Sequence, residues 1–129
     1  KAVMPRMHQG AAISAAGLIL ETVADNQKQA LKKKNPKTFC TTGLYRICRH
    51  PNYFGEVMFW VGQFIASLPA LGKDWKKLVW TSFGTVMIIM VMKGAAKRVS
   101  KDQETRYGQL PEWKNYKKSV TGTLLPLVP

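Results

Sequence analysis

The sequence is poor in acidic residues and in cysteine. It contains 7 Asp and Glu residues against 20 Lys and Arg residues, which gives a formal net charge of +13. The 2 cysteines, Cys40 and Cys48, stand on either side of a glycine turn at a spacing that fits neither a CxxC motif nor a disulfide framework. We expect both to be free thiols, because a zinc site built from them and His50 would lack its fourth ligand. The sequence therefore predicts no metal site.

The start of the sequence also lacks the pattern of a signal peptide. The charged, apolar and small-residue regions of such a peptide do not occur in order near the start. The first residue is Lys1 rather than Met, so the chain either has been processed or is the C-terminal part of a longer protein. We expect the second, with the N-terminal spans of that protein as its partners in the membrane. No internal repeat divides the chain, so residues 1–129 are treated as a single module.

The apolar residues are gathered into long blocks instead of recurring at a helical or strand period. A helix needs roughly 20 mostly apolar residues to cross a bilayer. The second and third blocks approach this length, and the first, over 10–24, is shorter. Three membrane spans are the simplest count. The predicted ranges are 10–27, 53–72 and 75–93, followed by a cytosolic tail over 94–129. The predicted fold is an all-α, polytopic transmembrane module with a C-terminal cap.

The basic residues are distributed unevenly between the two sides of such a module. With three spans, residues 25–53 and the tail carry 15 Lys and Arg residues, and the opposite side carries 5. The positive-inside rule then places the basic side and the C-terminus in the cytosol. Topology thus accounts for the net charge, which argues for contact with the lipid bilayer and against a nucleic-acid partner.

Two of the predicted helices carry polar side chains along one face. The first has a stripe at spacings of four, three and four residues, formed by Glu21, Asp25, Lys28 and Lys32. This stripe either faces a wet or protein-lined hollow or marks a helix end that emerges into water. In the second, Asn52, Glu56 and Gln63 share a face. A carboxylate at mid-membrane costs on the order of 2.5 kcal/mol, so Glu56 either faces a cavity or lies at head-group level.

Pro51 predicts the start of the second helix, because proline is well suited to the first helical turn. The helix N-terminus would then lie beside Arg46, Arg49 and His50. Free N–H groups, the positive end of the helix dipole and guanidinium groups together form an anion site. From charge alone, an equally good interpretation is that the two arginines anchor lipid head groups.

The run Gly43–Glu56, which reads Gly-Leu-Tyr-Arg-Ile-Cys-Arg-His-Pro-Asn-Tyr-Phe-Gly-Glu, and the preceding Ala24–Lys28 resemble a family of membrane proteins similar to the steroid 5-alpha-reductase C-terminal domain. Delta-14 sterol reductases and isoprenylcysteine carboxyl methyltransferases resemble its Arg-His-Pro-x-Tyr-x-Gly core more distantly. The tail resembles the same family at Arg106–Gly108, Trp113, Tyr116–Lys118 and Pro126. The resemblance covers nearly the whole chain.

The resemblance implies an oxidoreductase that uses NADPH to reduce a carbon–carbon double bond in an apolar, lipid-like or steroid-like substrate. Tyr53 would donate the proton and Glu56 would orient it, with packing of Tyr53 against the next helix as the alternative. The residues implied in cofactor binding are Asp25, Lys32, Arg46, Arg49, His50, Asn52, Arg98, Tyr107 and Tyr116.

Two departures from steroid 5-alpha-reductases limit what the resemblance implies. Glu21 stands where those enzymes have Asn, and they lack the Arg-His-Pro form found at 49–51, so steroid specificity is not implied. Their catalytic acid pair lies in spans that precede this segment. A complete active site is therefore not expected within these residues.

Two other functions stay open on the sequence. One is an S-adenosylmethionine-dependent methyltransferase acting on a membrane-borne substrate, and the other is a non-catalytic membrane protein whose basic face binds anionic lipid. Ala24–Gln27 and Asn52–Glu56 favour the reductase. The expected location is multi-pass in the endoplasmic reticulum of a eukaryote or the inner membrane of a bacterium.

Overall fold

The structure, a computed structural model, describes residues 3–126. Within that range it contains four α helices and no strand, which confirms the all-α prediction. The helices are α1 (Val3–Lys34), α2 (Pro51–Leu71), α3 (Trp75–Tyr107) and α4 (Pro111–Ser119), and a 3-10 turn at Gly43–Arg46 lies between α1 and α2.

The helix ends follow from local sequence. α1 ends at Lys34, directly before Asn35 and Pro36, because the residue before a proline is driven out of the helical region. α2 begins at Pro51 with His50 as its N-cap, as the sequence predicts. Asp74 caps α3 by accepting hydrogen bonds from two backbone N–H groups of its first turn.

Small residues bring α1 and α2 into close antiparallel contact. A Cβ atom on Gly17 would lie 2.5 Å from the backbone oxygen of Gly55, so the two backbones approach directly. Further along the interface, the Ser14 hydroxyl donates to the Phe59 carbonyl at 2.8 Å and accepts from Gln63 Nε2 at 3.1 Å. The Ser14 hydroxyl and the Gln63 amide therefore find hydrogen-bond partners between the helices rather than in solvent.

Two helices, α2 and α3, are long and apolar enough to cross a membrane. Large apolar side chains on the outer faces stay exposed, among them Ile19 at 63%, Trp80 at 74% and Met90 at 62%. Apolar exposure on this scale is compatible with a membrane protein. The span predicted at 10–27 lies inside α1, which is not one of the two, so its crossing stays a prediction.

α3 extends beyond the predicted third span. The span was predicted over 75–93 and the tail from 94, and the helix continues without a break to Tyr107. The point at which the chain leaves the membrane stays a prediction. The charged second half is rich in strong helix formers such as Lys, Arg, Gln, Glu and Ala, so the change in polarity after Met92 does not end the helix. Residues 94–107 of the predicted tail therefore belong to α3, and the described residues after them form the cap.

The C-terminal cap is held by an aromatic cluster. Tyr107, Trp113, Tyr116 and Val120 are buried together, and Phe39 from the loop after α1 packs against them. Since α1 and α2 are antiparallel and a short turn joins α2 to α3, this cluster lies at the same end of the molecule as the start of α2. That end holds the predicted functional residues.

Candidate functional site

A cavity of about 260 Å³ opens at this polar end of the molecule. α1 contributes Lys28 and Lys32 to its wall, and the start of α2 contributes Asn52 and Tyr53. One face of α3 forms the opposite wall at positions i, i+3, i+4, i+7 and i+8, which are Val99, Asp102, Gln103, Arg106 and Tyr107.

Most of the predicted site residues meet here. Seven of the eleven line the cavity, namely Lys32, Arg49, His50, Asn52, Tyr53, Tyr107 and Tyr116. Asp25 stands behind them, where its Oδ1 accepts a hydrogen bond from Asn52 Nδ2 at 3.1 Å. The structure therefore gives Asp25 a positioning contact with Asn52.

Besides Asp25, three predicted residues lie outside this lining. Glu56 is one turn beyond Asn52 on α2, and Arg98 is exposed on α3. Arg46 lines an adjoining cavity of about 930 Å³, which shares Phe39 and Tyr116 with the first. Of the three, Arg46 alone is within reach of a ligand that extends beyond the first cavity.

The lining is strongly cationic. Lys28, Lys32, Arg49 and Arg106 bring four positive side chains to the wall, against the single carboxylate of Asp102. A concave site with this balance concentrates anions, and guanidinium groups match phosphate oxygens in a bidentate geometry. The cavity is thus suited to a polyanionic ligand.

Three buried polar atoms of this lining have no hydrogen-bond partner among the described residues. They are Tyr45 Oη, Arg49 Nε and Gln103 Oε1. Burial raises the pKa of Tyr45 above its ordinary value, so its hydroxyl stays protonated and can donate. Each unsatisfied buried group costs about 1–3 kcal/mol, and a polar ligand or water in the cavity would offset that cost.

The C-terminal segment fixes Arg49 in place. The Arg49 backbone N–H donates to the Gly122 carbonyl at 2.9 Å, and the next N–H, from His50, donates to the Thr123 carbonyl at 3.1 Å. Arg49 Nη2 also donates to the Thr123 hydroxyl at 2.8 Å. A chain segment more than 70 residues away therefore sets the orientation of this guanidinium.

His50 acts as a neutral, buried support for Tyr53. Burial, together with the charges of Arg49 and Lys28, lowers the His50 pKa to about 4, so the ring carries no charge at neutral pH. Its Nε2 lies 2.8 Å from the Ser100 hydroxyl, and its ring stacks on Tyr53 with centroids 5.7 Å apart. The structure thus gives His50 a positioning contact and no positive charge toward phosphates.

The two tail tyrosines bond to the polypeptide itself. Lys32 Nζ donates to Tyr107 Oη at 3.3 Å, and Tyr107 Oη donates to the Thr38 carbonyl at 3.4 Å. Tyr116 Oη donates to the Tyr45 carbonyl at 2.7 Å. The two phenols close the wall of the cavity, and their hydroxyls hold the loop after α1 against α3 and α4.

Sequence reasoning missed several lining residues. Lys28 belongs to the polar stripe of α1 but was not named as a binding residue, and Arg106 stands at the start of the Arg-Tyr-Gly run in the tail. Gln103 and Tyr45 carry unsatisfied atoms and were also missed. The 3.6-residue period over 99–107 would have found the α3 residues, given the expectation that the helix continues past residue 93.

A zinc site at this end of the molecule would be built from the two cysteines and His50. Cys40 and Cys48 are both buried free thiols, as expected. Within residues 3–126, no group of three or more His, Cys, Asp and Glu side chains is arranged to hold a metal ion.

The comparisons with known proteins identify a family and no individual relative. No curated protein and no solved structure matches the chain. Residues 3–120 match the family described as "Protein of unknown function (DUF1295)". Because this match spans most of the sequence, the chain belongs to the DUF1295 family, which is steroid 5-alpha-reductase-like.

Proposed function

We propose that the chain is the cofactor-binding part of a membrane-bound reductase that uses NADPH to reduce a carbon–carbon double bond in a lipid or steroid-like substrate. Within its family we assign it to the branch that carries Arg-His-Pro-Asn-Tyr-Phe-Gly-Glu at 49–56. One observation carries the proposal, which is the cationic cavity with three unsatisfied polar atoms in its wall.

The charge of the cavity favours NADPH over S-adenosylmethionine. NADPH carries several phosphate charges, whereas S-adenosylmethionine carries a sulfonium cation. Four cationic side chains and one carboxylate attract the first ligand and repel the second. The methyltransferase alternative, which the sequence left open, is therefore the less favoured of the two.

The proposed roles follow from position. Lys28, Lys32, Arg49 and Arg106 hold phosphate groups, and Asn52 holds a neutral polar group of the cofactor. Asp25 keeps the Asn52 amide in one orientation through the 3.1 Å hydrogen bond.

The size of the first cavity indicates how the cofactor lies. At about 260 Å³ it is slightly below the roughly 300–1,000 Å³ typical of small-molecule sites, so it takes one part of a dinucleotide. We assign the rest to the adjoining cavity, where Arg46 provides a further cation.

Tyr53 is the proposed proton donor. When bound, NADPH supplies a hydride to one carbon of a polarised double bond, and a proton must reach the other carbon. Tyr53 lines the cationic cavity and also packs against the apolar cluster of Val57, Ala96 and Leu124. It thus lies between the polar and the apolar compartments, and the stack on His50 holds its ring there.

The membrane arrangement is part of the proposal. α1 packs along α2, so if α2 crosses the bilayer, the apolar part of α1 lies at the same depth. The polar end with the cavity carries most of the Lys and Arg residues and is assigned to the cytosol, where NADPH is available. The membrane is assigned to the endoplasmic reticulum of a eukaryote or to the inner membrane of a bacterium.

The experiment is a binding titration of the purified full-length protein in detergent micelles. NADPH, NADH and S-adenosylmethionine are titrated separately, with NADPH binding followed by its fluorescence. We expect saturable NADPH binding that weakens as salt is added, because the attraction is electrostatic. Saturable binding of S-adenosylmethionine alone would overturn the proposal, and binding of neither would favour a non-catalytic membrane protein.

A further inference from the structure

A third cavity, of about 640 Å³, lies between α2, α3 and the C-terminal segment. Its inner wall is aliphatic and is built from Val57, Ile89 and Leu124. Val57 and Leu124 are buried in a common cluster, and Ile89 packs against it. The cavity therefore offers an apolar slot next to the apolar half of α3.

The outer rim of this slot is cationic. Lys93 and Lys97 follow Ile89 at intervals of four residues on the same face of α3, and Arg49 closes the rim from the start of α2. None of the described residues in this lining is acidic. Neither lysine forms an ion pair within residues 3–126. An aliphatic floor beneath an unopposed positive rim is complementary to an anionic amphiphile.

The apolar cavity and the cofactor cavity share a wall. Arg49 lines both of them. The hydrogen bond between His50 Nε2 and Ser100 Oγ, at 2.8 Å, joins one residue of the first lining to one of the second. Tyr53 lines the first cavity and packs against the cluster that floors the other. A ligand in the apolar slot is thus separated from the cofactor cavity by single side chains.

We infer that the apolar cavity binds a single-chain lipid with an anionic head group, of the chemical class of a long-chain fatty acid, and that this is the substrate class of the protein. The aliphatic tail lies against Val57, Ile89 and Leu124. Lys93 and Lys97, which lie one turn apart on α3, hold the head group. The substrate role rests on the proposed reductase function, whereas the binding itself does not.

The test uses the full-length protein in phosphatidylcholine nanodiscs. A fatty acid with a photoactivatable group in its chain is irradiated and the labelled residues are mapped by mass spectrometry. The matching fatty alcohol, which has a neutral head, is the probe control. We expect labelling on α2 near Val57 and on α3 near Ile89, stronger for the acid than for the alcohol.

Two pairs of variants test the rim and the floor separately. The double variant Lys93→Gln with Lys97→Gln is expected to reduce labelling by the acid about tenfold and to leave the alcohol unchanged, because charged hydrogen bonds are lost. Lys101→Gln, on an exposed lysine one turn further along α3, is the matched control. Val57→Trp is expected to abolish labelling, and Val86→Trp on the exposed face to preserve it.

Three outcomes would overturn the inference. They are equal labelling by acid and alcohol, labels confined to the exposed face around Val86, and displacement of the probe by phosphatidylglycerol in the nanodisc, which would make the occupant a bilayer lipid. NADPH binding is titrated on the same samples. NADPH binding without fatty-acid labelling refutes this inference alone. Labelling without NADPH binding refutes the proposed reductase and with it the substrate role, and leaves the lipid-binding site standing.

Discussion

Asn52 and Asp25 are joined across the α1–α2 interface by a hydrogen bond of 3.1 Å from the amide Nδ2 to the carboxylate Oδ1. Asn52 lines the cationic cavity and Asp25 stands behind it. The bond therefore connects the polar stripe of α1 to the site at the start of α2. It also fixes which way the Asn52 amide faces, because only its NH₂ group can donate to a carboxylate.

Removing this bond is expected to weaken NADPH binding. Asp25→Ala frees the Asn52 amide to rotate, and Asn52→Ala removes the amide altogether, so we expect losses of about fivefold and about tenfold in affinity. Asn26→Ala, on the exposed neighbour of Asp25, is the control. The measurement is the NADPH titration, and an unchanged affinity in Asn52→Ala would contradict the site as assigned.

Substitution of Lys32 and substitution of Lys33 should affect NADPH binding very differently, although the two residues are adjacent. Lys32 lines the cavity and donates to Tyr107 Oη, whereas Lys33 is exposed and outside the lining. We expect Lys32→Gln to weaken NADPH binding about tenfold or more, because a charge-assisted contact is lost, and Lys33→Gln to change it little. Equal losses in the two variants would instead indicate a diffuse basic surface that binds anionic lipid.

Adding a side chain at the glycine contact between α1 and α2 should destabilise the fold. A Cβ atom on Gly55 would lie 2.6 Å from the backbone nitrogen of Glu21, so Gly55→Ala must push the helices apart. Overpacking of this kind costs about 1–3 kcal/mol. The control is Gly84→Ala, where a Cβ meets nothing within 4 Å. Thermal melts in micelles should show a lower midpoint for the first variant only.

His50 should make stability fall as the pH is lowered. Its pKa is about 4 in the folded chain and 6.5 ordinarily, so between these values the unfolded chain takes up a proton that the folded chain does not. The free energy of unfolding is then expected to fall by about 3 kcal/mol as the pH drops from 6.5 to 4.

The matched pair for this pH effect is His50→Gln and His8→Gln. The first removes the buried imidazole, and the second removes an exposed one on α1. Melting midpoints measured from pH 7 to pH 4 should fall less steeply in His50→Gln than in the parent chain, with His8→Gln unchanged. A parallel fall in all three proteins would show that other groups produce the acid sensitivity.

The helices and many of the site residues could be predicted because their signals are local. The positions of Pro36 and Pro51 mark where α1 ends and α2 begins, and each acts on its immediate neighbours alone. The apolar run ends at Met92 whereas α3 continues to Tyr107, so the sequence pattern predicted the span and not the full helix, since polarity reports the environment of a helix and not its length.

The sequence by itself determined the helical composition, the basic end of the molecule, and the motif at 49–56 that supplies Arg49, Asn52 and Tyr53. Tertiary structure alone decided that Lys32 meets Tyr107 across 75 positions and that the C-terminal segment orients Arg49. It also decided that His50 is neutral, because burial governs its pKa. Such contacts depend on how whole helices pack, and residue spacing along one helix carries no information about the partner helix.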